Sequence, residues 1–200
     1  MTDVLPPTPD GLERAAALLR DGEMVAFPTD TVYGVGVSAD FPERIDALLA
    51  LKQRPAEKRI PILVADIAQA IQFGWLADER AHRLTRSFWP GALTLVLTSP
   101  AGETQAFRAP DHAVALDLIR RTGPILTTSA NRSGEPDTLG ADDVLIAFAT
   151  QQDELLAVVD GGAVPGGVAS TVLDLSVTPA RVLRDGPISR EQLGAVVEVA

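Results

Sequence analysis

Lysine occurs twice among the 200 residues, at 52 and 58, and both lie in LKQRPAEKR (51–59) beside Arg54 and Arg59. The other fifteen of the 17 basic residues are arginine. An ammonium is a compact point charge on a flexible stem, whereas a guanidinium is a planar fork. A chain that otherwise uses arginine therefore places ammonium groups here for a site that needs them, or simply to finish a helix whose C-terminal end favours cations. Three strand exits are also unusually polar: PTDT (28–31) after MVAF, TSANRSG (128–134) after PILT, and GGVAST (166–171) before VLDL. Each offers hydroxyls and backbone N–H groups, and glycines let the backbone approach closely, which suits an oxyanion or phosphate. The same residue types also make plain turns. Taken together with the lysine-bearing segment, the three exits point to a phosphate site.

Competing chemistries fit the sequence less well. GGAVPGGVAST (161–171) has no lysine after its glycines, so a Walker A loop fails, and no GxGxxG opens a helix after a strand. His82 and His112 lack metal-ligand spacing. A Ser129–His112–Asp triad is compatible with the spacing, but TSANRSG is not a GxSxG elbow. Trp75 and Trp89 read as core anchors, since no basic and aromatic residues interleave around them.

Helices and strands must alternate to hold these exits. Residues 10–21 carry helical spacing behind Asp10 as a cap. A strand follows at 24–27, a helix at 42–52 with proline in its first turn, and a strand at 60–65. A helix spans 78–89, ended by Pro90 and Gly91, and a strand spans 92–98. Residues 111–123 form a helix closed by glycine, 124–131 a strand running into a polar turn, and 141–149 a helix. Strands at 155–160, 170–175 and 180–185 precede a last helix whose capping box is Ser189 with Gln192. This interleaving predicts one α/β domain over 10–200 with a mixed sheet, behind an N-terminal tail of 1–9.

Composition sets bounds on function. Apolar residues make up 46% and charged residues 22%, the balance of a globular domain. No apolar run approaches the ~20 residues of a bilayer span. MTDVLPPTPD has no basic n-region or apolar h-region, so a cytoplasmic location without membrane partners is expected. Cysteine is absent, which removes disulfides, thiolate zinc sites and a cysteine nucleophile. A net charge of −10 argues against broad nucleic-acid binding, which relies on neutralising phosphates, while leaving room for a local basic pocket.

Four segments in order, PTDTVYGVG, LKQRP with EK, TSANRSGEP, and STVLDL with LRDG (183–186), resemble the YrdC-like threonylcarbamoyl-AMP synthases, as does FWPGALTLVL (88–97). The resemblance covers roughly residues 10–190. It implies a YrdC-like fold, a twisted mixed sheet with a concave ligand face, and a nucleotidyltransferase that makes L-threonylcarbamoyladenylate from L-threonine, bicarbonate or CO2, and ATP with Mg2+, releasing pyrophosphate. The product would pass to a tRNA threonylcarbamoyl transferase complex for N6-threonylcarbamoyladenosine formation, without direct tRNA binding by this chain. The family's K-x-R falls on Lys52 and Arg54 as catalytic residues. Arg54, Lys58, Thr127, Ser129, Asn131 and Arg184 fall at ATP-binding positions. Thr31, Leu63, Arg108 and Ser170 fall at threonine-binding positions, and no resident metal is implied. The segment before Arg108, AGETQAFRAP, is shorter than the family pattern, and Thr104 matches an ATP contact only loosely. An RNA-binding module, or a relative acting on another carbamate, are the alternative functions.

The chemistry asks for such residues. Threonine's amine and bicarbonate form a carbamate that must attack the α-phosphate, so two anions have to be neutralised and aligned. Arg108 offers a bidentate fork to the threonine carboxylate. Lys52 and Arg54 supply charge at the join without transferring protons. Tyr33 and the two glycines of YGVG are expected to shape the pocket wall, with Thr31 touching threonine.

Overall fold

The computed structural model describes residues 1–53, 60–151 and 153–200. Thr8, rather than Asp10, caps the first helix, α1 (Pro9–Arg20): its hydroxyl accepts the Gly11 amide at 3.3 Å, and Asp10 lies inside the first turn where its charge suits the dipole. MVAF and Pro28 form β2 (Met24–Pro28), and after four turn residues the chain resumes as β3 (Tyr33–Ser38). The YGVG that follows the PTDT exit is therefore strand, an element the sequence pattern does not signal. A 3-10 turn at Pro42–Arg44 leads into α2 (Ile45–Leu51), where one continuous helix is expected. β4 is short (Ile62–Leu63), and α3 (Ile67–Gln72), capped by Asp66, is an element the sequence pattern does not signal.

The rest follows the expected order with one more addition. α4 (Glu79–Phe88) is capped by Asp78, and β5 (Leu93–Thr98) turns into β6 (Thr104–Arg108), which the sequence pattern also leaves unmarked. Then come α5 (Ala113–Thr122), β7 (Ile125–Ser129), α6 (Ala141–Ala147) and β8 (Leu155–Val159). β9 (Thr171–Asp174), β10 (Arg181–Arg184) and α7 (Arg190–Gly194), with the Ser189–Gln192 capping box, complete the chain. At the other end, within the stretch read as a tail, Asp3–Leu5 forms β1 and pairs in parallel with β8.

The ten strands of the described residues belong to one mixed sheet in the order β1-β8-β2-β3-β7-β4-β6-β5-β9-β10. Strand alternation splits the core in two. Met24 and Ala26 of β2 face a large cluster with Tyr33, Val35 and Val37 of β3, Leu93, Leu95 and Leu97 of β5, Leu48 of α2, Leu84 of α4 and Leu193 of α7. Val25 and Phe27 face the other way, onto Leu12, Ala15 and Leu19 of α1 and Ala115, Leu118 and Ile119 of α5. Each fully buried Phe or Leu contributes about 1.5–3 kcal/mol.

The two faces are covered unequally. α1 and α5 pack over the β1-β8-β2 end of their face. On the same face, further along the sheet, the inward positions become small or polar: Gly34, Gly36, Thr127, Ser129, Thr104, Ala106, Arg108 and Thr94. That half of the face opens into a cavity. Among the described residues, no helix is long and apolar enough to cross a membrane.

Candidate functional site

Register brings the cavity's wall together from distant segments. Gly34 pairs with Ser129 and Gly36 with Thr127, Leu63 lies between Ile125 and Arg108, Val96 pairs with Ala106, and Thr94 with Val172. The space enclosed is about 590 Å³, in the range of small-molecule sites. It is lined by Thr31, Leu63, Arg108, Thr127, Ser129, Ser170 and Arg184, seven residues that the family motifs assign to threonine or ATP, and by Thr104.

The glycines of β3 are there for closeness. A methyl group on Gly34 would stand 2.8 Å from Thr127 Cγ2, and one on Gly36 would stand 2.7 Å from both Ile125 Cγ2 and the Leu126 carbonyl oxygen. Gly34 thereby lets β7 present Thr127 and Ser129 to the cavity. Tyr33 does not join them. Strand alternation sends its ring into the large core, where it is fully buried. Its hydroxyl donates to the Gly162 carbonyl at 2.7 Å and accepts the Gly161 amide at 3.2 Å, and burial pushes its pKa up. Tyr33 ties down the 161–162 loop rather than forming the pocket wall.

Among the described residues, two arginines enter the cavity, each held from behind. Arg108, 9% exposed, donates from Nε to the Gly91 carbonyl at 3.0 Å, from Nη1 to Thr31 Oγ1 at 3.3 Å and from Nη2 to Asp30 Oδ1 at 2.6 Å. The 29–32 turn that supplies two of these acceptors is itself locked. Thr29 Oγ1 accepts the Thr31 and Val32 amides and donates to the Val32 carbonyl at 2.7 Å. Arg184 donates from Nε to the Ser170 carbonyl and from Nη2 to Ser170 Oγ, and Ser170 Oγ shares a 2.8 Å hydrogen bond with Thr94 Oγ1. Gly186 permits this closure: a methyl there would lie 2.4 Å from the Thr171 amide nitrogen. Burial, and then the field of Arg108, hold the Arg184 pKa below the ordinary guanidinium value. Two cations that repel across a cavity make a site for anions.

Lys52 and Asn131 stand behind this wall instead of lining it. Lys52 is 2% exposed, and its ammonium donates to the Ser129 carbonyl, to Ser129 Oγ at 3.1 Å and to Asn131 Oδ1 at 3.0 Å. Ser129 Oγ donates to Asn131 Oδ1 at 2.7 Å, and Asn131 Nδ2 to the Glu135 carbonyl at 2.6 Å. The K-x-R lysine and the S-x-N pair are thus one hydrogen-bonded unit, with Ser129 at its cavity side. Ser129 Oγ is engaged with Lys52 and Asn131, and His112 stands at the N-terminal cap position of α5 without a side-chain cap hydrogen bond, so no Ser129–His112 pair forms among the described residues. Arg54 and Lys58 lie outside the described residues.

The sequence pattern leaves other wall residues unmarked: Thr29, Val32, Thr94, Val96, Val172 and the carboxylate Asp137 at the rim. One signal could have found several of them. In β3 and β5 large apolar residues alternate with glycine, serine, threonine or valine, a period-2 pattern whose second face is too small or polar to pack a helix. Trp75 and Trp89 are half-buried and pack against the large core cluster: Trp75 lies on Phe107 at 5.4 Å between ring centres, and Trp89 Nε1 donates to the Leu93 carbonyl.

Comparison with known proteins adds relatives to this geometry. The Sua5–YciO–YrdC family model, described as "Telomere recombination", matches residues 17–186. A Bacillus subtilis protein named threonylcarbamoyl-AMP synthase is 43% identical over 98% of this chain, which spans 59% of that relative. A Mycobacterium tuberculosis protein named putative threonylcarbamoyl-AMP synthase is 34% identical, covering 94% of this chain and 90% of its own length. The crystal structure of Pyrococcus abyssi Sua5 complexed with L-threonine superposes with a TM-score of 0.87 at 32% identity, over all of this chain and 62% of that one.

Proposed function

The chain belongs to the Sua5–YciO–YrdC family, and on that footing we propose that it is a nucleotidyltransferase that makes L-threonylcarbamoyladenylate from L-threonine, bicarbonate or CO2, and ATP. The observation that carries the proposal is the cavity with two guanidinium groups and a wall of hydroxyls, on a chain whose structural relative was crystallised with L-threonine. Threonine's amine adds to CO2 to give an N-carboxylate, whose oxygen attacks the α-phosphorus of ATP as the bond to pyrophosphate breaks. Arg108 takes the α-carboxylate of threonine beside Thr31 and Ser170, with Leu63 as the apolar floor. Arg184, Thr127 and Ser129 face the nucleotide.

Lys52 and Asn131 hold Ser129 in place in this arrangement, so Lys52 acts through the loop as well as through its charge. Arg54 and Lys58 are assigned to the phosphates on the motif alone. Mg2+ enters with ATP, held by phosphate oxygens and water as part of the substrate. The adenylate is then passed on in the cytoplasm to a tRNA threonylcarbamoyl transferase, and the net charge of −10 argues that this chain does not itself grip the tRNA.

The test is direct. Purified protein incubated with Mg2+, ATP, L-threonine and bicarbonate releases pyrophosphate and accumulates the adenylate, and omission of threonine or bicarbonate stops both. Pyrophosphate release indifferent to threonine, or none at all, overturns the proposal.

A further inference from the structure

Asp30 is the carboxylate of the PTDT turn, and the chemistry above gives it no task. Its neighbours Thr29, Thr31 and Val32 line the cavity, and Asp30 does not. It lies on the rear of Arg108, with its side chain 16% exposed against 10% for the arginine, and accepts from Nη2 at 2.6 Å. An ion pair so poorly solvated keeps much of its Coulomb energy and is little screened by salt.

A guanidinium has five N–H donors, one on Nε and two on each terminal nitrogen. In Arg108 the Gly91 carbonyl, Thr31 Oγ1 and Asp30 Oδ1 take one from each nitrogen. Two donors are left, one on each terminal nitrogen, which is enough to meet both oxygens of one carboxylate. Of the three anchors Asp30 alone is charged.

We infer that Asp30 is a positioning residue for amino-acid recognition: it aims the two spare donors of Arg108 at the substrate α-carboxylate without touching the substrate. The inference rests on the proposed synthase reaction. It sets Asp30 apart from a residue that merely supports the fold, because Arg184 and the Ser129 unit, at the ATP end of the cavity, are held by hydrogen bonds in which Asp30 takes no part.

The experiment measures KM for L-threonine and for ATP separately in the wild type, Asp30→Ala and Asp30→Asn. Wild-type pyrophosphate release that requires threonine must be seen first; its failure removes the synthase function and not the geometry at Arg108. Given that activity, Asp30→Ala raises the threonine KM at least tenfold and leaves the ATP KM within twofold. Asp30→Asn, which keeps the shape and an acceptor oxygen, falls between the two. If Asp30→Ala does not fold, the isosteric Asp30→Asn decides alone, by a threonine KM raised at least threefold with the ATP KM unchanged. A threonine KM within twofold of wild type in the folded variant, or both KM values rising together, overturns the inference.

Discussion

Replacing Lys52 with methionine keeps the stem and removes the ammonium. In the structure that ammonium meets the Ser129 carbonyl, Ser129 Oγ and Asn131 Oδ1 while 2% exposed. Hydrogen bonds to a charged group contribute about 1.5–3 kcal/mol each, but the three do not add, because a buried ammonium also pays a large desolvation cost. Ser129 Oγ and Asn131 keep each other, and Asn131 keeps the Glu135 carbonyl, so the Ser129 carbonyl loses most. Leaving one buried acceptor short costs about 1–3 kcal/mol, and we take about 2 kcal/mol as the net loss. At ~2–4 °C per kcal/mol for a chain of this size, the melting midpoint of Lys52→Met falls by about 4–8 °C. Adenylate formation falls at the same time to background, measured as pyrophosphate release on protein still folded at the assay temperature. A melt within about 1 °C of wild type refutes the claim that Lys52 holds the Ser129–Asn131 unit, whatever happens to the rate. An unchanged rate removes Lys52 from the site altogether.

Gly36→Ala puts a methyl 2.7 Å from the Leu126 carbonyl oxygen, which cannot retreat without parting β3 from β7; a loss of about 1–3 kcal/mol in urea unfolding is expected. Tyr33→Phe removes the donation to the Gly162 carbonyl and orphans the Gly161 amide, costing about 1–2 kcal/mol, with faster amide exchange at Gly161 as the local readout. For pH, burial holds the folded His112 pKa below its ordinary 6.5, against the opposing fields of Asp30 and Asp111. The unfolded chain therefore binds the proton first, so stability is full above about pH 6.5 and declines as pH falls from there toward the lowered folded value. His112→Gln flattens that dependence in urea midpoints compared at pH 7.5 and 5.5; an equal slope in both proteins refutes it.

Much of the fold was legible because apolar periodicity is a direct record of burial. The expected helices and strands were found in order, displaced mainly at their ends. β3 escaped despite its alternation, because its glycines follow a polar exit; the rest was short or lacked a strong period: β1 and α3 span 3 and 6 residues, and TQAFR of β6 mixes small and polar side chains. That mixture is itself a consequence of the site, since β6 turns Thr104, Ala106 and Arg108 toward the cavity and only Phe107 to the large core cluster. The cavity face erases the pattern by which strands are recognised. Tyr33 went astray for the opposite reason: its place beside a polar turn suggested the cavity, while period-2 alternation with Val35 and Val37 sends it to the core.

Lys52 shows how the two kinds of signal combine. As a lysine in a phosphate-like motif it reads as a ligand for the substrate, pointing out into the cavity. Helical spacing says otherwise: Leu48 of α2 is fully buried, and residue 52 lies four further on, on the same face. A lysine on a buried face has to find oxygen acceptors within the protein, because an unpartnered ammonium there costs several kcal/mol. The acceptors must come from whatever packs against α2, and the polar exit of β7 supplies them as Ser129 and Asn131. Motif and periodicity together therefore predict a lysine that reaches the chemistry through a serine and an asparagine, which is the arrangement that the Lys52→Met melt measures.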